Sequence, residues 1–171
     1  MDSEEALTAG LYNVAEYLVR LLDGRSMCLA ASESCTGGLI ADAMIRIPGA
    51  SSCFWGSYVC YSSSAKIRML GVEEHTLNTY GAVSEETVWA MAEGTLKKSG
   101  ADAAVSVTGL AGPDGDGSDI HVGTVWIAAA ITGISNAAIT KEFHFAGSRN
   151  NVRLRAARET IMQITELLEK N

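Results

Sequence analysis

No stretch of the 171 residues approaches the ~20 consecutive apolar residues that cross a bilayer, so no membrane association is expected. Basic charge is scarce as well: 13 Lys and Arg stand against 20 Asp and Glu, leaving a formal net charge of -7. Phosphate backbones are bound by cations clustered on one face, which argues against nucleic acid as a partner. The four cysteines, Cys28, Cys35, Cys53 and Cys60, include no close pair, and His75, His121 and His144 are scattered. Zinc sites draw on C-x-x-C or H-x-x-x-H spacing, so reduced thiols, no metal and no cofactor are expected. A calcium loop fails too: counted from Asp114, the sixth and twelfth positions hold Asp119 and Val125 where an EF-hand needs Gly and Glu. There is no internal repeat and no low-complexity segment. The opening residues Met1-Asp2-Ser3-Glu4-Glu5 are acidic where a signal peptide is basic, which points to a cytoplasmic protein. Small molecules or another protein remain as partners.

What is present is an alternation of helix and strand signals. Leu7, Leu11, Val14, Ala15, Leu18, Leu21 and Leu22 recur at helical spacing up to Gly24. Met27 to Ala31 reads as a buried strand, Thr36 to Ile47 as a helix stopped by Pro48-Gly49, and Phe54 to Tyr61 as a second strand. Ser62 to Leu70 and Glu73 to Tyr80 read as short helices closed by Gly71 and Gly81, and Ser84 as the N-cap of a helix reaching Lys98. Ala101 to Thr108 is an apolar strand. Gly123 to Ile131 and Ala137 to Phe145 form a hairpin across Gly133-Ile134-Ser135-Asn136, and a helix follows from Ser148 to Lys170. The pattern predicts one α/β domain over residues 1–171, with a mixed β-sheet packed between α-helices.

Chemistry concentrates in Ser32-Glu33-Ser34-Cys35-Thr36-Gly37-Gly38, a turn from strand to helix. Such a turn exposes a side chain at a strand end and aims backbone N–H groups at an anion or a developing oxyanion. Ser34, Cys35 and Thr36 are all potential nucleophiles, and spacing does not choose among them. A hydroxyl needs a base, and no histidine lies in a motif that supplies one. Lys66, just after the strand end at Tyr61, is the candidate base. It must be neutral to act, which calls for burial or a neighbouring cation. Tyr61 would relay the proton or hold the lysine. The plain alternative is a solvated Lys66 on a surface helix. Ser63 and Lys66 also fit S-x-x-K spacing, without the companion S-D-N and K-T-G elements. Cys35 offers a thiol route, since a helix N-terminus can lower a thiol pKa.

Two further segments join the list. Thr108-Gly109-Leu110-Ala111-Gly112-Pro113 follows a strand, so Thr108 could touch substrate while Gly109 and Gly112 allow close backbone approach. Arg149 and Arg153 occupy the first turns of the last helix, where cations oppose the helix dipole. A bound phosphate or surface carboxylates would remove the conflict.

Read in order, Glu33-Ser34-Cys35-Thr36-Gly37-Gly38, Pro48-Gly49-Ala50-Ser51, Tyr61-Ser62, Lys66, Leu70-Gly71-Val72, Tyr80-Gly81-Ala82-Val83-Ser84-Glu85, Gly109-Leu110-Ala111-Gly112-Pro113 and Val122-Gly123-Thr124-Val125 resemble the CinA carboxy-terminal domain family. The resemblance covers about Glu4 to Leu168 and implies the stand-alone form of that domain. It implies an amidase that converts nicotinamide mononucleotide to nicotinate mononucleotide and ammonia in pyridine nucleotide salvage. It nominates Ser34 as nucleophile, Lys66 as general base and Tyr61 in support. Thr36, Gly37, Gly38, Thr108, Gly109, Gly112 and Arg149 become substrate contacts, and a homo-oligomer is implied. Ser63 stands where the family often has Asn, and Ile120-His121 where it often has Lys-Pro. A non-catalytic nucleotide-binding or protein-interaction module of the same fold is the alternative.

Overall fold

The computed structural model describes residues 3–134 and 137–171. Met1 and Asp2 of the acidic start, and Ser135 and Asn136 of the expected hairpin tip, lie outside the described residues.

Helix α1 spans Glu4–Arg25, its N-terminus closed by the Ser3 hydroxyl, which accepts from the Ala6 amide. The expected stop at Gly24 is corrected by one turn position: the helix includes Gly24, and Ser26 takes the left-handed conformation that ends it, at φ 54°. Strands β1 (Leu29–Glu33), β2 (Phe54–Val59), β3 (Ala103–Gly109), β4 (Thr124–Ile131) and β5 (Ala138–His144) form a sheet in the order β2-β1-β3-β4-β5. Strand β1 is parallel to both neighbours, whereas β3, β4 and β5 pair antiparallel, which makes the sheet mixed, as the alternation of elements predicted. No described helix is long and apolar enough to cross a membrane.

Helices cover both faces. Along β4, Val125, Ile127 and Ala129 join the main core with α1 and α6 (Arg149–Lys170). Ala128 between them packs instead on Val88 and Ala92 of α5 (Glu85–Ser99). Side chains alternate faces along a strand, so α5 lies opposite α1 and α6.

The segments around β1 and β2 position the site. Helix α2 covers Leu39–Ile45 and starts three residues later than the expected Thr36, because Gly37 and Gly38 adopt positive φ, 61° and 97°. After β2 the chain makes one α-helical turn, α3 (Ser63–Ala65), and then widens into a π-helical turn over Lys66–Leu70 that ends at the left-handed Gly71. Helix α4 (Glu74–Tyr80) follows, and Ser84 caps α5 by accepting from the Thr87 amide, as predicted. Gly94 of α5 lies directly on the π turn: a Cβ built there would sit 2.2 Å from the Leu70 carbonyl oxygen. Only a glycine lets the two backbones approach this closely.

Candidate active site

Strand β1 ends between two parallel neighbours, with Glu33 level with Val59 on one side and Val107 on the other. The chain leaves β1 toward β2 on one side and leaves β3 toward β4 on the other, so the carboxyl ends of β1 and β3 meet at a topological switch point, where open α/β sheets bind ligands. Ser34 is the residue after Glu33. Its amide donates to the Val107 carbonyl at 3.0 Å, and its side chain is 6% exposed.

The Lys66 amine lies 2.9 Å from Ser34 Oγ, 3.1 Å from the Cys60 carbonyl oxygen and 3.3 Å from the Tyr61 carbonyl oxygen. Lys66 is 1% exposed and takes part in no ion pair among the described residues. Burial without a counter-charge pushes its pKa below the ordinary lysine value. This disposes of the solvated-surface alternative. A neutral amine has two N–H bonds and one lone pair, and carbonyl oxygens only accept. The amine thus reaches two carbonyl oxygens, which only accept, and the Ser34 hydroxyl, which accepts from it or, where the amine is neutral, donates to it. A hydroxyl in contact with a buried amine is the pairing that the expected nucleophile and base require.

The competing nucleophiles fare differently. Cys35 is buried, as a small residue at this position reads, and desolvation pushes its thiol up to about 12, which counts against the alternative thiol route. Thr36 is fully buried, and its hydroxyl donates to Glu33 Oε2 at 2.8 Å. Ser63 is exposed, and Lys66 makes its three polar contacts without it, so the S-x-x-K reading does not describe this lysine.

Glu33 carried no assigned role in the sequence, yet it organises the turn. Its side chain is fully buried and accepts five hydrogen bonds: from Thr36 Oγ1, from the amides of Gly38, Ile40 and Ala41, and from Ser57 Oγ, at 2.8–3.1 Å. The free amides at the start of α2 thus meet an anion supplied by the protein itself. The Gly37 amide closes on the Ser34 carbonyl at 3.2 Å. Gly37 and Gly38 consequently contribute conformation, while their N–H groups are engaged internally. Among the described residues, the amides of Cys35 and Thr36, directly after Ser34, donate to no other residue.

A second constellation adjoins the first. Tyr61 contacts Lys66 through its carbonyl, while its side chain is 63% exposed and its hydroxyl accepts from Arg149 Nη2 at 3.2 Å. Arg149 also donates to the Gly112 carbonyl. Arg149 and Arg153 therefore resolve the charge conflict at the start of α6 through carbonyl and hydroxyl oxygens rather than surface carboxylates. Thr108 is 1% exposed, and its hydroxyl donates to the Ala82 carbonyl at 2.7 Å. Gly109 packs on β4, where a Cβ would lie 2.7 Å from Val125 Cγ2, and Gly112 has φ 81° with Val122 against it. The structure thus brings Ser34, Thr36, Gly37, Gly38 and Lys66 into one site, with Tyr61, Gly112 and Arg149 at a flank. Thr108 and Gly109 it uses for packing at the end of β3. Among the described residues no group of His, Cys, Asp or Glu side chains is placed to hold a metal ion.

The residues that sequence reasoning passed over are Glu33, the Cys60 carbonyl and the Cys35 and Thr36 amides. The one signal for Glu33 in the sequence is an acidic residue directly after the apolar run Met27 to Ala31 and shortly before a helix N-terminus.

Comparison with known proteins gives a consistent picture. The family model of the CinA C-terminal domain matches residues 11–168. A protein of Enterobacter agglomerans named nicotinamide-nucleotide amidohydrolase PncC is 46% identical over 147 residues, which is 86% of this chain and 88% of that one. A CinA-like protein of Thermotoga maritima is 43% identical over 154 residues, 90% of this chain but 37% of its own length. The chain thus spans little more than a third of that longer relative. Among solved structures, a CinA superfamily protein from Klebsiella pneumoniae superposes with a TM-score of 0.89 at 32% identity, covering 94% of this chain and 99% of that chain. CihA, a competence/damage inducible protein from Agrobacterium tumefaciens, gives 0.88 at 34% identity, over 92% and 95%.

Proposed function

The chain belongs to the CinA C-terminal domain family, and from that premise we propose that it hydrolyses the carboxamide of nicotinamide mononucleotide to nicotinate mononucleotide and ammonia. The observation that carries the proposal is the buried Lys66 amine 2.9 Å from the Ser34 hydroxyl, its other polar contacts being two carbonyl oxygens. An unpaired buried lysine is costly to a fold, and a site that keeps one uses its lone pair.

In this reading Ser34 Oγ attacks the carboxamide carbon while its proton passes to Lys66 Nζ. The resulting ammonium is held by the Cys60 and Tyr61 carbonyls. The carbonyl oxygen, now negative, takes the unpartnered amides of Cys35 and Thr36, a geometry in which each donor is worth a large factor in rate. Collapse of the tetrahedral intermediate expels ammonia, which receives the proton from Lys66 and leaves an acyl ester on Ser34. Water then attacks that ester with Lys66 as base, nicotinate mononucleotide departs and the Ser34 hydroxyl is restored. Arg149, held between the Gly112 carbonyl and the Tyr61 hydroxyl, contributes a cation at the flank for the nucleotide phosphate.

Ammonia release from nicotinamide mononucleotide tests the proposal. The unaltered protein is expected to turn over, Ser34→Ala to be inactive with its circular dichroism unchanged, and Cys35→Ser to retain activity. Binding of the nucleotide without ammonia release would identify a non-catalytic module. Full activity in Ser34→Ala would remove the assigned nucleophile.

A further inference from the structure

Arg153 stands in the second turn of α6, where its charge opposes the helix dipole, yet none of its hydrogen bonds goes to a carboxylate. Nε donates to the Cys35 carbonyl at 3.1 Å, Nη2 to the Thr36 carbonyl at 2.8 Å and Nη1 to Asn150 Oδ1 at 3.2 Å. The planar guanidinium thus grips two successive carbonyls of the nucleophile turn from more than a hundred residues away in sequence.

Those carbonyls belong to particular peptides. A trans peptide is planar, with its C=O and N–H pointing in opposite directions. The peptide whose oxygen is Cys35 O carries the Thr36 N–H, which has no acceptor among the described residues. The peptide whose oxygen is Thr36 O carries the Gly37 N–H, which closes the turn onto the Ser34 carbonyl. A cation on the oxygen side fixes the orientation of each N–H and, by polarising the amide, strengthens it as a donor.

We infer that Arg153 is a positioning residue for the reaction: it aims and polarises the Thr36 amide toward the negative charge that develops when Ser34 attacks. The inference rests on the function proposed above. It separates Arg153 from any part in holding the nucleotide phosphate, because a fork already spent on two carbonyls acts on the rate of the chemical step rather than on substrate affinity.

The test uses Arg153→Met and Arg153→Lys in the full chain, with folding followed by circular dichroism. For Arg153→Met, kcat for ammonia release is expected to fall about tenfold to a hundredfold, the range produced by a small misplacement of catalytic groups, with KM within about twofold. The midpoint of the pH profile should stay where it is, since the surroundings of Lys66 are untouched. Arg153→Lys keeps the cation but replaces the fork by a point donor, so it should show a smaller loss of the same kind; if the Met variant fails to fold, the Lys variant carries the test.

A second readout needs no nucleotide. In phosphonylation by a fluorophosphonate, Ser34 Oγ bonds to phosphorus, fluoride leaves, the serine proton passes to Lys66 and the phosphoryl oxygen takes the same amides. Its rate should drop with kcat. A protein that reacts with the probe but releases no ammonia would refute the substrate assignment while still testing Arg153. Unchanged kcat and phosphonylation, or a raised KM at unchanged kcat, overturns the inference.

Discussion

The two halves of the Ser34–Lys66 pair are held in place by opposite means. Ser34 sits on a turn fixed by charge and hydrogen bonds: Glu33 gathers three amides and two hydroxyls on one side, and Arg153 grips two carbonyls on another. Lys66 sits on a π turn fixed by packing, in a small cluster of Cys60, Leu70, Val72, Leu77 and Met91, with α5 laid against it at Gly94. The difference follows from what each group must do. In the proposed reaction a nucleophile flanked by oxyanion donors needs its amides aimed, which polar partners accomplish; an amine acting as base needs water and counter-charge kept away, which apolar packing accomplishes.

The comparison can be broken most severely on the polar side. Glu33→Ala strips the acceptor from five donors, two of them in fully buried bonds, and each buried donor left unsatisfied costs about 1–3 kcal/mol. Urea unfolding should show a lowered midpoint with little change in slope, and ammonia release should be lost with it. A shift under 1 kcal/mol would mean that the carboxylate does not organise the turn.

The packing side should break next, and more gently. Gly94→Ala forces a methyl group into the space held by the Leu70 carbonyl, an overpacking that costs about 1–3 kcal/mol. Because the displaced turn carries Lys66, kcat should fall as well. Gly10→Ala in α1 is the matching control: the nearest atoms to its added Cβ are 3.6 Å away, an ordinary contact, so alanine's helix preference should raise stability by up to about 1 kcal/mol.

Lys66→Met sharpens the comparison by separating stability from activity. The packing environment that suits a neutral amine suits a thioether better, so the variant should gain about 0.5–2 kcal/mol while losing ammonia release. The pH dependence has a defined sign. The folded pKa of Lys66 lies below its unfolded value, so the unfolded chain binds more protons and wild-type stability rises with pH between the two. The advantage of Lys66→Met should therefore be largest at low and neutral pH and shrink as pH climbs toward 10.5. An advantage that stays constant or grows over that range would contradict a lowered lysine pKa. The smallest effect is expected at the exposed Glu166–Lys170 pair, where Lys170→Ala should change stability by less than about 0.5 kcal/mol.

Much of the arrangement is legible in the residues themselves. Helical spacing from Leu7 to Leu22, the Ser84 cap, and the closing glycines Gly71 and Gly81 fix most elements, because each is a local signal read within one or two turns. Ser34, with Cys35 and Thr36, and Lys66 are legible as candidate chemistry near two strand ends, and the structure brings the Lys66 amine to Ser34. What sequence does not display is the direction in which backbone groups point. The start of α2 moves from Thr36 to Leu39 because Gly37 and Gly38 take positive φ, and the Glu33 carboxylate then claims amides that a bare motif offers to a ligand. Thr108 reads as a strand-end contact, but its hydroxyl turns to the Ala82 carbonyl across the fold. The partners of Arg153 lie 117 and 118 residues away, a proximity that follows from α6 packing beside α2 and that no local pattern encodes.

The state of one amine is the centre of the account, and it can be read directly. Lysine labelled with 13C at Cε reports protonation by its chemical shift, and Lys66→Met identifies the resonance of Lys66. The account predicts that this resonance titrates below the other lysines, and that the rate of ammonia release rises with pH through the same midpoint. A Lys66 resonance that titrates together with the surface lysines near 10.5 would contradict it.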